Sequence, residues 1–379
     1  MKNSEIAHRR LRNQGLSKIK FKDAQDAAAQ LGAIQAQDYA GAKWGVAQRL
    51  KDASDAALDK AFDNASLLRT HLLRPTWHFV SPDDIRWMLM LTAPRVHAVN
   101  AFMYRKLELD KAVIKKSYSV LEKTLQGNKQ LTRTELASAL EKAGIRAEGF
   151  RLSYIMMSAE LDGIICSGPR RGKQFTYALL EERVPPVRAL TRDEALAELT
   201  ERYFRTRGPA TVQDFAWWSG LTVSDVKRGI EMIKPRLGSE AMDGQTYWFV
   251  EFGSSTKEKS PTALLLPNYD EYFIGFKDRS AIGEVAKRVG IKGNDPALIA
   301  HIIILDSQIV GGWRRNLERN AVTVELILIT DLTKPERAAI ADAAETFGKF
   351  LGLPVSLTYK GRAKDRGKAR TFFETKTYT

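Results

Sequence analysis

The tightest constraint on this chain is a recurring order of helix and strand signals, plainest between residues 132 and 179. Thr132-Arg133-Thr134-Glu135 is a capping box, in which the threonine oxygen and the glutamate each satisfy an orphan backbone donor. The helix it opens runs to Ala143 and stops at Gly144. A second helical stretch covers residues 151–161 and ends at Asp162-Gly163. Residues 164–166 and 175–179 are β-type runs, joined by the basic turn Ser167-Gly168-Pro169-Arg170-Arg171-Gly172-Lys173. Helix, turn, helix and a hairpin with a basic tip is a winged-helix pattern.

The same order is readable on either side. Before it come helices over residues 4–14 and 23–32, with Asp23 as N-cap, and a short helix near 55–62. Strand-like runs at 67–71 and 76–80 flank a turn with Arg74-Pro75, and a Trp-, Met- and Leu-rich helix follows over 83–91. After Pro185-Pro186, helices are expected at 192–206, at 212–219 and from Thr222 onward, with a strand at 247–252. Beyond about residue 259 the chain turns to β: runs at 263–266, 302–305, 308–313 and 322–329, and one helix over 335–351 with Ile340, Ala344, Phe347 and Leu351 at helical spacing. The expected fold is α+β: three tandem winged-helix units (1–115, 116–186, 187–258), a C-terminal β-sheet or partial barrel with a packed helix (259–358), and a basic tail (359–379).

Charge points to the partner. The net charge is +14, which draws a chain to polyanions, nucleic acid above all. Between Tyr359 and Thr379 seven basic residues face two acidic ones, an arm suited to tracking phosphates. No run approaches the ~18 apolar residues of a membrane span, and no secretory signal opens the chain. A single cysteine, Cys166, rules out a disulfide framework, and the five histidines show no metal-ligand spacing. A reducing, cytoplasmic setting with no metal and no cofactor is expected.

Familiar catalytic signatures are missing: no phosphate loop, no dinucleotide fingerprint, no His-Glu-x-x-His and no Gly-x-Ser-x-Gly. Cys166, in an apolar strand, reads as core. Asp270-Glu271 is the best carboxylate pair, expected to be structural and ion-paired with Lys277 or Arg279. A hydrolase centred on it is the third function reading. The remaining constellation is Gln35-Ala36-Gln37-Asp38. It follows Gly32, which should break the helix. An extended backbone then turns both glutamines to one face and Ala36 to the core.

Here the chain resembles the AlkZ/YcaQ-type winged-helix DNA glycosylases. Gln35-Ala36-Gln37 is similar to their Gln-x-Gln motif, and Arg74-Pro75-Thr76-Trp77-His78 to their Arg-x-Thr-x-His segment. Residues 208–220 resemble the third winged-helix signature. Residues 265–272 with Lys277-Asp278-Arg279 resemble a sheet segment, and Gly312-Trp313-Arg314-Arg315 a late hairpin. The likeness runs from about residue 5 to 355. The Gln-x-Asp variant marks the YcaQ-like branch, so this chain resembles the AlkZ-like one. The resemblance implies a positively lined cleft, excision of N-alkylated purines including unhooking of interstrand crosslinks, and catalytic roles for Gln35 and Gln37.

The chemistry is coherent. An N-alkylated purine is already cationic and leaves as a neutral base, so the general acid that glycosidases require is unnecessary. What remains is to place a water against C1′, and a glutamine carbonyl can accept a hydrogen bond from that water. Gln37 is expected to hold the water and Gln35 to support it or contact the deoxyribose, with the two roles left open. Expected DNA contacts are Arg9, Arg10 and Arg12 on the first helix, His78, the wing residues Arg170, Arg171 and Lys173, and Arg314 and Arg315. Duplex DNA is the expected partner, with no membrane and no nucleotide cofactor, and a monomer suffices for isolated lesions. The alternative is a non-catalytic winged-helix regulator or architectural factor, which has no use for two convergent glutamines.

Overall fold

The computed structural model describes residues 2–17, 21–250, 260–290 and 301–360. Most of the basic tail, 361–379, lies outside them. The first part of the chain comprises α1 (Asn3–Asn13), α2 (Ala24–Leu31), β1 (Ile34–Gln35), α3 (Tyr39–Gln48), α4 (Asp55–Asp63), β2 (Leu68–Leu72), β3 (Thr76–Val80) and α5 (Ile85–Lys106). Next come α6 (Lys111–Leu125), β4 (Leu131–Thr132), α7 (Arg133–Lys142), α8 (Gly149–Leu161), β5 (Ile165–Ser167), β6 (Thr176–Leu179) and the short α9 (Leu180–Arg183). Then follow α10 (Arg192–Arg207), α11 (Val212–Ser219), α12 (Val223–Ile233), β7 (Gly238–Met242) and β8 (Gln245–Phe249). The last part holds β9 (Ala263–Leu266), α13 (Glu271–Ile274), α14 (Glu284–Arg288), β10 (Ile302–Leu305), β11 (Gln308–Leu317), β12 (Val322–Leu328), α15 (Lys334–Leu351) and β13 (Val355–Lys360).

One order recurs three times: helix, short strand, two helices, hairpin. In the first repeat it is α2-β1-α3-α4-β2-β3, and the strands form a sheet in the order β1-β3-β2. The second is α6-β4-α7-α8-β5-β6, with sheet order β4-β6-β5. In the third, α10-α11-α12-β7-β8, the short strand shrinks to one bridge between Ala210 and Trp248. A five-stranded sheet, β13-β12-β11-β10-β9, closes the chain. It is antiparallel except for the parallel β12–β13 edge.

Helix starts follow the capping chemistry. Asp23 accepts from the Asp26 N–H, and full capping boxes open α7, α10, α11 and α15. Gly32 ends α2 at φ +76°, a positive-φ conformation that glycine adopts without a Cβ penalty. Several helices outrun or escape the sequence reading, α6 and the short α9, α13 and α14 among them. The helix expected at 83–91 continues through Pro94 to Lys106, because Val96 and Asn100 stay buried beyond the proline. Residues 39–48, which carried no expectation, form α3.

The core explains where the glutamine segment lies. One apolar cluster joins Ile34, Ala36 and Trp44 to the C-terminal sheet and α15, through Leu265, Trp313, Val324 and Phe347. A second joins Ala33, Leu68, Leu72 and Val80 to α10, α11 and α12, through Leu199, Phe215 and Trp218. β1 is the seam between them. Its two faces are packed by different parts of the chain.

Candidate active site

β1 pairs antiparallel with β3, Ile34 opposite Phe79 and Gln35 opposite His78. The Ala36 N–H donates to the Trp77 carbonyl at 2.8 Å, so the extended backbone continues past Gln35. Side chains alternate along such a backbone. Ile34 and Ala36 therefore enter the core shared with the C-terminal sheet, and Gln35 and Gln37 take the other face.

The two glutamines are held very differently. Gln35 is buried. Its Oε1 accepts from Arg74 Nη2 at 3.1 Å, and Nη1 of the same guanidinium donates to the Trp217 and Trp218 carbonyls. Arginine has only donors, so the carbonyl end of Gln35 is the one facing it. The backbone N–H of Gln35 donates to Glu271 Oε1 at 2.8 Å. Gln37 is exposed, and among the described residues its Oε1 meets only the Trp77 N–H, at 3.5 Å.

Glu271 is the anchor beneath this strand. It is fully buried, and Oε2 accepts from Arg207 Nη2 at 2.7 Å and from Trp218 Nε1 at 2.8 Å. Arg207 also donates to the Leu31 and Ala33 carbonyls, clamping the entry to β1. The neighbouring Asp270 takes both terminal nitrogens of Arg49 at 2.8 Å. The expectation that Lys277 or Arg279 would pair with these carboxylates is corrected: buried arginines 221 and 64 residues away do so. Neither carboxylate is free to serve a hydrolase. Gly41 and Gly45 let α3 approach this segment closely; a Cβ at Gly41 would stand 3.3 Å from Pro267, and one at Gly45 3.1 Å from Asp270.

His78 neighbours Gln35 in the sheet but is fully buried, which corrects its assignment as a DNA contact. Burial first, then the Arg74 guanidinium, push its pKa well below the usual imidazole range, so the ring is neutral. Nδ1 meets the Thr76 carbonyl at 2.9 Å and must donate there, because a carbonyl only accepts. Nε2 has no partner among the described residues, nor do the hydroxyls of Thr70 and Thr76 on the same face.

The basic residues divide. Arg10 is 2% exposed, donates to the Pro209 carbonyl at 2.9 Å, lies 3.7 Å from Asp214 and stacks over Phe276. It ties α1 to the third repeat, and its expected DNA contact is withdrawn. Arg9 lies over the Phe249 ring, and Arg12 is half-buried. In the wing the half-buried Arg170 folds back over Tyr39 and lies 3.5 Å from Asp59, so its guanidinium is engaged within the protein. Arg171 is exposed but pairs with Glu135 at 2.9 Å, and Lys173 is exposed. On β11 Arg314 faces solvent, while Arg315 turns toward the glutamine segment, 3.9 Å from Asp38. Sequence reading missed Arg74 and Glu271 as partners of Gln35. Both stand in segments it had singled out, but nothing local shows whom they bind.

The family model described as "DNA glycosylase AlkZ-like" matches residues 28–350. The chain belongs to the AlkZ-like DNA glycosylase family. It is therefore an enzyme of DNA repair, not the non-catalytic regulator of the alternative reading. An interstrand DNA cross-link repair glycosylase from Streptomyces sahachiroi is 21% identical over 317 residues, 80% of this chain and 85% of that protein. The solved structure of the Streptomyces sahachiroi DNA glycosylase AlkZ superposes with a TM-score of 0.76 at 20% identity, covering 94% of this chain and 99% of the other. The α+β fold is thus that of AlkZ. Among the described residues no helix is long and apolar enough to cross a membrane, and no His, Cys, Asp or Glu cluster could hold a metal.

Proposed function

We propose that this glycosylase hydrolyses the N-glycosidic bond of cationic N-alkylated purines in duplex DNA, interstrand crosslinks among them, and that Gln37 positions the attacking water. The division of labour between the glutamines carries the reading. Gln35 has its carbonyl committed to Arg74, so only its amide N–H groups are open to a deoxyribose or phosphate. The Gln37 carbonyl is exposed and bound only at long range. The water oxygen adds to C1′ and the C1′–N pair leaves with the purine, which departs neutral. The proton passes to solvent. Positioning is the main contribution, and misplacing a group by ~1 Å can cost ~100-fold. Arg314, Arg315 and Lys173 meet the phosphates. The enzyme acts in the cytoplasm as a monomer, each repeat serving as a winged-helix unit.

The test is base release from a duplex carrying one N7-methylguanine. Wild type should release it. Gln37→Ala should lose ~100-fold in kcat with DNA affinity kept, and Gln35→Ala should lose less. Full activity in Gln37→Ala would overturn the assignment.

A further inference from the structure

We propose that Tyr269 is a stacking residue that recognises the positive charge of the alkylated purine; the inference rests on the function just proposed and adds a substrate contact to it. Three observations converge on this side chain. The first is placement. Pro267 packs against α3 at Gly41, and Glu271 takes the Gln35 N–H. Residues 267–271 therefore reach from Gly41 at one end to Gln35 at the other, and Tyr269 stands midway between the two anchors.

The second is backbone strain. Tyr269 is a residue with a Cβ held at φ +62°. Such a conformation persists only when its surroundings over-determine it, and it clusters at functional sites. The surroundings do so here. The Asn268 N–H donates to His301 Nδ1 at 2.8 Å, Asp270 is locked by Arg49, and Glu271 by Arg207 and Trp218. The third is exposure. In a loop whose neighbours are buried or half-buried, Tyr269 is 36% exposed. It makes no hydrogen bond or ring contact with any described residue. An aromatic ring is thus presented to solvent from a fixed loop that is anchored to the glutamine strand.

The chemistry selects the occupant. An N7- or N3-alkylated purine is a flat cation, and the face of an aromatic ring attracts cations through its quadrupole. A neutral, undamaged purine gains the stacking but not the charge term. Tyr269 would favour the lesion in its ground state and loses that attraction as the base departs neutral, so its effect belongs in binding and discrimination more than in kcat.

The experiment compares wild type, Tyr269→Phe and Tyr269→Leu, all of which keep a Cβ and hence the same backbone demand. The probe is a duplex with a single 2′-fluoro-stabilised N7-methyldeoxyguanosine, against the undamaged duplex. Tyr269→Phe should keep the preference for the lesion, and Tyr269→Leu should lose about 2- to 30-fold of it, with thermal midpoints alike. Exposed Phe102 on α5 is the control: Phe102→Leu should change nothing. Equal preference in Tyr269→Leu and wild type overturns the proposal. Base release from the unfluorinated duplex is measured in parallel. Absence of release by wild type would sink the proposed function, and a lesion preference that tracks the Tyr269 ring would still support the stacking role.

Discussion

Gln35 cannot orient itself. Its carbonyl points at Arg74 because that guanidinium is braced on two carbonyls of α11 and has one nitrogen to spare. Burial lowers the proton affinity of Arg74, opposed by Glu271 nearby; arginine remains cationic in proteins regardless. Replacing Arg74 by lysine keeps the charge but loses the fork that spans α11 and Gln35. Arg74→Lys should therefore lower single-turnover excision ~10-fold or more with little change in DNA affinity, as measured by base release and by titration. A second residue sets an acid limit. Burial, and then Arg315, depress His301 to about 4, while Asp38 works the other way. Its Nδ1 must be unprotonated to accept the Asn268 N–H. The folded pKa lies below the unfolded value of ~6.5. The stabilisation is therefore complete above that value and lost as pH falls from ~6.5 toward 4. The thermal midpoint should drop across this window, and His301→Asn, which keeps an acceptor without a titrating ring, should flatten the drop.

At the scale of elements, what the sequence showed depended on how each element is buried. The runs at 76–80, 263–266 and 302–305 matched their strands, and 212–219 matched α11, because apolar residues or capping boxes bound them on both sides. Helix α3 escaped notice because most of its residues, from Gly41 to Gln48, are buried, so no polar stripe marks it. β13 escaped because its parallel pairing with β12 needs α15 as a crossover, and nothing local signals such a pairing. Basic residues misled for a related reason. Arg10 and Arg170 look like any exposed arginine in sequence, and only the fold brings in Asp214 and Phe276, which bury the first, and Asp59 and Tyr39, which engage the half-buried second. The wing between β5 and β6 makes this testable. Arg170→Ala removes a stacking cation and an ion pair, so it should lower the thermal midpoint and leave DNA affinity nearly unchanged. Lys173→Ala should leave the midpoint alone and weaken binding, with the slope of log affinity against log salt reduced by about 0.9 if it meets one phosphate. The reverse pattern would restore Arg170 as a DNA contact.

The extended backbone at the glutamines was legible from Gly32 and the period-2 alternation, but the support of Gln35 was not, because it is assembled from parts of the molecule far apart in sequence. Gln35 belongs to the first repeat, Arg207 and Trp218 to the third, and Glu271 to the C-terminal part. One buried carboxylate receives a donor from each of the other three. The strand it holds lies where two apolar cores meet, so the relative placement of those parts and the geometry of the site are one quantity. Removing one partner of a buried, hydrogen-bonded ion pair leaves an uncompensated charge and costs about 3–5 kcal/mol. Glu271→Ala strands Arg207 in this way and should lower unfolding free energy by that order in denaturant titration. Arg207→Ala strands Glu271, and the double variant should be less destabilised than the two single losses added together, since neither charge is then left alone. Glu271→Gln separates stability from positioning. Its amide oxygen can still accept from Gln35, but its NH₂ must face the donors of Arg207 and Trp218. If Glu271 matters only to folding, kcat for base release measured well below the unfolding midpoint will match wild type. If it holds Gln35 in place, kcat will fall while the apparent KM for the lesion duplex stays put, and the loss will vanish in a Gln35→Ala background, where there is no side chain left to position.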